Sequence, residues 1–167
     1  PTAGVWGRDE MALLFDGNDV VTVNDVGTED VDEITLSTWV RLDELPNGIM
    51  RFVTAGDEKA VLRYDDGDLH FYVATQAVPN PGFHSLRYRP GWKTDRWYHV
   101  AGTFDGATMR LYLNGEEVGS QTFSAPRLVG GDTIHLSSSE ETLHGYLDDV
   151  RVYRRALTDK EIADLAK

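Results

Sequence analysis

Two Asx-Gly dipeptides, Asp105-Gly106 and Asn114-Gly115, bracket the run Met109-Arg110-Leu111-Tyr112-Leu113. Asp-Gly and Asn-Gly accept the positive φ angles that tight hairpin turns demand. Upstream, Trp97-Tyr98-His99-Val100-Ala101-Gly102-Thr103-Phe104 is rich in aromatic and β-branched residues, which suit a pleated strand. A chain that reverses twice within so few residues is confined to short antiparallel strands.

The same grammar runs along the rest of the sequence. Leu13-Leu14-Phe15 and Val20-Val21-Thr22-Val23 read as strands about the turn Asp16-Gly17-Asn18-Asp19. The stretch Ile34-Thr35-Leu36-Ser37-Thr38-Trp39-Val40-Arg41-Leu42 alternates with period two, as a strand with one face on a core does. Further strands are expected at residues 50–55, 60–64, 69–74, 134–137 and 146–153. Residues 79–94 carry Pro79, Pro81, Gly82, Pro90 and Gly91 and read as a long loop that also spends aromatic residues. Thr158 and Glu161 match a capping box, so a short helix closes the chain, with Ile162 and Leu165 on one face. Short strands plus one terminal helix predict an all-β, two-sheet antiparallel sandwich.

Composition narrows the function. The 167 residues fit one domain with a sizeable core. A net charge of −12 repels phosphate backbones, so no nucleic acid is expected as a partner. No apolar run is long enough for membrane insertion. The absence of cysteine excludes disulfides, thiolate zinc sites and cysteine nucleophiles. Residues 1–10 read as a linker or N-terminal extension and 11–167 as the domain, a module of a larger polypeptide or a mature product.

An ordered set of segments carries a family resemblance: Leu14-Phe15-Asp16-Gly17, the stretch from Ile34 to Val40, the run from Trp97 to Gly106, Leu111-Tyr112-Leu113-Asn114-Gly115, and Leu147-Asp148-Asp149-Val150-Arg151-Val152-Tyr153 followed by Arg155-Ala156-Leu157. Together they resemble the laminin G-like, concanavalin A-like lectin/glucanase jelly-roll domains. The resemblance implies a jelly roll with a short C-terminal helix and a fold that hosts both sugar-binding modules and sugar-cleaving enzymes. Members often place a glycine soon after the strand matching residues 133–136. This chain reads Ser137-Ser138-Ser139-Glu140-Glu141 instead, and that edge is expected to be rebuilt.

Glycosidic hydrolysis generally needs two carboxylates at fixed separation. The glucanases of this fold carry them as Glu-x-Asp-x-x-Glu on one strand, a string missing here; Glu29-Asp30-Val31-Asp32-Glu33 has the wrong spacing. Lyases of similar fold use Gln-x-His and a tyrosine in a Lys-Ala-Gly context, where this chain offers Thr133-Ile134-His135 and no Lys-Ala-Gly. No catalytic residues are therefore assigned. The five histidines form no zinc pattern.

Relatives often bind structural calcium where the first strand meets the last. The resemblance implies ligands from Asp16, with carbonyls of Gly17 and Asn18, and from Asp148, in keeping with the hard oxygen donors calcium prefers. For a ligand, His70 and Tyr72 alternate against Leu69, Phe71 and Val73 and should leave the opposite face of the sheet. His84, Arg87, Tyr88 and Trp92 in the aromatic loop would wall that face. Arg63, Arg87 and Arg89 would add a local positive spot suited to carboxylated or sulfated sugars.

These readings converge on a non-catalytic carbohydrate-binding module of a secreted, multi-domain protein, acting outside the cell or at its surface on an oligo- or polysaccharide and appended to a polysaccharide-degrading enzyme. The alternatives are a protein-interaction or adhesion module, and a glycoside hydrolase or lyase with an atypical site.

Overall fold

A computed structural model of the chain describes residues 12–29, 31–76, 82–123 and 128–167. The expected linker at 1–10 lies outside the described residues. Twelve strands and one helix follow in chain order: β1 Leu13–Asp16, β2 Val21–Asn24, β3 Ile34–Leu42, β4 Ile49–Ala55, β5 Ala60–Asp65, β6 Asp68–Thr75, β7 Gly82–Tyr88, β8 Trp97–Phe104, β9 Thr108–Leu113, β10 Glu116–Thr122, β11 Thr133–Leu136, β12 His144–Tyr153 and α1 Asp159–Leu165. They form two six-stranded antiparallel sheets. The first has the order β1-β12-β3-β8-β9-β10 and the second β2-β11-β4-β5-β6-β7. The all-β jelly-roll sandwich with one short helix is therefore the observed architecture.

Alternation explains the core. Leu36 and Val40 of β3, Phe71 and Val73 of β6, Val100 of β8 and Leu111 of β9 are buried in one cluster between the sheets. Such burial is worth about 1.5–3 kcal/mol for each large apolar side chain. β4 departs from strict alternation through a bulge between Arg51 and Val53. The extra residue lets both Phe52 and Val53 join the core, while the pairing sets Arg51 opposite Arg63 and Thr54 opposite Val61.

The outer faces differ. On the first sheet, Ala101, Tyr112 and Leu157 pack with Ile162 of α1 in a second cluster. Thr158 caps the helix, accepting from the Glu161 N–H while the Glu161 carboxylate accepts from Thr158. The Trp39 indole N–H donates to the Leu165 carbonyl. The second sheet has no helix over its outer face among the described residues.

One expectation changes. The segment expected as a loop over 79–94 contains β7, which pairs with β6 along its length. Its alternation was hidden between Pro and Gly residues, which an edge strand tolerates. After β11, Ser137 takes φ +62, and its hydroxyl accepts the Leu143 N–H at 3.0 Å. That bond helps hold the serine in a left-handed conformation that residues other than glycine seldom adopt.

Candidate functional site

The open face of the second sheet gathers polar side chains by register. His70 of β6 sits opposite Arg63 of β5 and Arg87 of β7, and Tyr72 sits opposite Val61 and Ser85. With Leu69, Phe71 and Val73 committed to the core, these residues emerge together on the outer side. Four of the predicted site residues, Arg63, His70, Tyr72 and Arg87, are thus neighbours.

Three others are not. Trp92 is only 8% exposed and packs edge-on against Tyr98 at 4.8 Å and Phe52 at 6.4 Å, so it belongs to the core. His84 pairs with Val73 on the inward parity of β7 and stacks on Phe123 with ring centroids 3.6 Å apart. Tyr88 pairs with Leu69 and leaves β7 on that same inward side. For His84 and Tyr88 the cause is parity, which residues read as a loop lack, whereas a strand sends alternate side chains to opposite faces. Trp92 lies beyond the end of β7 and turns inward through its ring contacts.

The structure adds residues that sequence reasoning missed. Arg51 Nη2 donates to Glu58 Oε1 at 2.6 Å, and Arg51 Nε donates to Glu141. Arg63 reaches Asp65 at 2.8 Å and Glu141 at 3.7 Å. Arg87 reaches Asp65 at 2.7 Å and Asp68 at 3.8 Å, and Arg89 reaches Asp68 at 2.8 Å. Every arginine of the expected positive spot therefore faces a carboxylate. The only signal for Arg51 in sequence was a charge set between apolar residues of a strand.

These pairs set the protonation states. Burial works against the carboxylate of Glu58, but its bond to Arg51 outweighs this and holds its pKa below the ordinary value. Asp65 is likewise lowered, Arg63 and Arg87 prevailing over burial. Burial, aided by Arg87 and Arg63, pulls His70 down to about 4, so its ring is neutral at pH 7. Burial pushes Tyr72 up to about 12, so it keeps its proton.

Two hollows lie on this face and share Arg51 as a wall. One, of about 260 Å³, is lined by Arg51, Glu58, Arg63, His70, Tyr72, Phe83 and Ser85. The other, of about 270 Å³, includes Thr22, Thr54, His135 and Ser137. Tyr72 is 7% exposed, covered by Arg63 above its ring at 5.2 Å and by Phe83 edge-on at 5.9 Å. Phe83, at 60%, is the aromatic surface a ligand would meet.

The two carboxylates expected to share a calcium ion are not brought side by side. Asp16 pairs with His144 at one end of β1, whereas Asp148 lies four residues further along β12, opposite Trp39 of β3. At about 3.4 Å per residue the two carboxylates are too far apart to share an ion. Asp16 instead accepts the Asn18 N–H across the turn through Gly17, and Asp148 accepts the Asp149 N–H. No group of three or more His, Asp or Glu among the described residues could hold a metal.

Among the described residues, one outer face of the jelly-roll sandwich lies under a helix and the other is polar and hollowed. The chain belongs to the Concanavalin A-like lectin/glucanases superfamily, whose sequence profile it matches over residues 15–163. Among solved structures it is similar to the receptor binding domain of botulinum neurotoxin D, at 16% identity and TM-score 0.75, over 93% of this chain and 45% of that one. The serotype D ligand binding domain in complex with N-acetylneuraminic acid gives 19% identity and TM-score 0.74, over 93% and 41%. The SAP-like pentraxin of Limulus polyphemus gives 16% and 0.71, over 92% and 80%. The chain thus spans less than half the length of the neurotoxin chains it resembles. No curated protein matches its sequence. No helix among the described residues is long and apolar enough to cross a membrane.

Proposed function

We propose that this domain binds carbohydrate without cleaving it, through the outer face of the second sheet, as one module of a larger extracellular polypeptide that engages polysaccharide. The observation that carries the reading is the exposed Phe83 ring beside hydrogen-bonding side chains of Arg51, Arg63, His70 and Ser85 in one hollow. A sugar has apolar C–H faces and a polar rim, and an aromatic plane next to oriented polar groups matches both. The sugar complex of the similar neurotoxin domain and the short span of this chain within such proteins accord with a binding module. Glu58, its pKa lowered beside Arg51, does not suit the part of a glycosidic general acid. A glycan array tests the reading: retention by native protein that Phe83→Ala abolishes supports it, and an array with no retained glycan would end it.

A further inference from the structure

Resting on that reading of the site, we propose that its ligand is an uncharged glycan chain lying across the strands, with sugar units in both hollows on either side of Arg51. Three observations lead there.

The first is charge. Arg51, Arg63, Arg87 and Arg89 face Glu58, Glu141, Asp65 and Asp68, four cations against four carboxylates. The patch has no net charge, and it sits on a chain of net charge −12. An anionic sugar entering it meets arginines whose charge is already taken up and a repelling long-range field. A neutral polyol loses nothing on either count. Its hydroxyls both donate and accept, which suits the alternating guanidinium and carboxylate edges of such a network.

The second is a pair of buried polar atoms. His70 lines one hollow and Thr54 the other, and His70 Nε2 and Thr54 Oγ1 are buried without a hydrogen-bond partner, both residues being 4% exposed. Buried polar groups are seldom left so, because each forfeits the hydrogen bonds it had in water. Each hollow is thus lined by a residue with an unmet hydrogen-bonding atom, which a ligand hydroxyl would complete after a small shift of the side chain.

The third is continuity. Arg51 borders both hollows, and its bonds to Glu58 and Glu141 hold it between them. Phe83 on β7 and Thr22 on β2 lie at opposite edges of the six-stranded sheet, roughly five strand spacings of about 4.8 Å apart. That span fits several linked sugar units rather than one terminal residue.

The experiment is titration calorimetry of the whole chain with neutral oligosaccharides of increasing length, chosen from the array, and with the same oligomers oxidised to uronates. The neutral series is expected to bind about tenfold or more tightly than its uronate partner at low salt, without change between about 0.05 and 0.5 M salt. Affinity should rise with length until both hollows are filled, and Thr54→Val should remove the gain from the added units. Glu141→Gln leaves four arginines facing three carboxylates and should gain uronate binding that salt then abolishes. Uronates preferred by the native protein, or no gain in Glu141→Gln, overturn the inference while leaving carbohydrate binding in place. A flat length dependence overturns the two-hollow arrangement. Failure of every glycan to bind overturns the functional reading itself.

Discussion

The ring of Phe71 occupies the space in which a side chain on Gly102 would stand: a Cβ built on Gly102 would lie 2.4 Å from Cγ and Cδ2 of that ring. Gly102 is on β8 of the first sheet and Phe71 on β6 of the second, so this contact sets how closely the sheets approach there. Phe71 lies between His70 and Tyr72 in sequence, and the same strand carries the open face on its other side.

Gly102→Ala is therefore expected to overpack the core at this point. The cost should be about 1–3 kcal/mol, read as a lower midpoint in urea unfolding. Glycan affinity per folded molecule should also fall, because β6 must shift. An unchanged midpoint would show that the sheets can separate freely.

Phe83 and Trp92 should behave as opposites. Phe83→Ala removes an exposed ring and is expected to abolish glycan retention while moving Tm by little. Trp92→Ala empties part of the core beside Phe52 and Tyr98 and should cost roughly 3–5 kcal/mol. Thermal melts alongside binding measurements separate the two; a stable Trp92→Ala protein that no longer binds would move the site to that loop.

Acid should weaken the fold through two histidines. His70 and His99 are pulled down to about 4 by burial, the first helped by Arg87 and Arg63. Both rings are neutral in the folded chain and titrate near 6.5 once unfolded, so the unfolded state binds more protons between those values. Their contribution is whole above pH 6.5 and is lost as pH falls towards 4. Each should account for about 2–3 kcal/mol between about pH 7 and pH 4.5. Denaturant melts of His70→Gln and His99→Gln at the two pH values should each show a shallower decline than the parent.

Lys59 is fully buried, with its ammonium donating to the carbonyls of Thr28, Glu29 and Gly131. It ties the segment after β2 to the one before β11. Lys59→Met removes the donor and leaves the buried Thr28 carbonyl without it, so a loss of about 1–3 kcal/mol is expected. A chemical melt gives the number, and a loss below about 1 kcal/mol would mean water replaces the ammonium.

Calcium offers a test of register. Two carboxylates sharing an ion lose the same response when either is removed. Because Asp16 and Asp148 lie apart along β12, Asp148→Ala should leave untouched any shift of Tm that calcium or a chelator produces at the Asp16 turn. Abolition of one shift by both variants would place an ion between them.

Much of the fold was legible because its signals are local. Alternation over Ile34–Leu42 gave the bounds of β3, and Thr158 with Glu161 marked the helix start. β7 was missed because proline and glycine on both sides outweighed a period-two pattern in the middle. Trp92 was misplaced for a related reason: composition says that a segment is irregular but not which way its largest side chain turns. Half of the site was equally hidden. Arg51, Glu58 and Glu141 come from three separate segments, and nothing in their spacing says that they meet.

The sequence by itself determined most of the strands, many of their reversals and the capped helix, since each depends on residues two to four apart. The tertiary structure alone decided which outer face was closed and which left open. α1 docks on the first sheet through Ile162, and among the described residues no helix covers the polar face of the second sheet. It also decided the charge of that face, turning an apparent cluster of arginines into a balanced network through carboxylates distant in the chain. Those outcomes rest on register and on sheet-to-sheet packing, which are set by contacts between residues far apart in sequence and leave no periodic trace within any one segment.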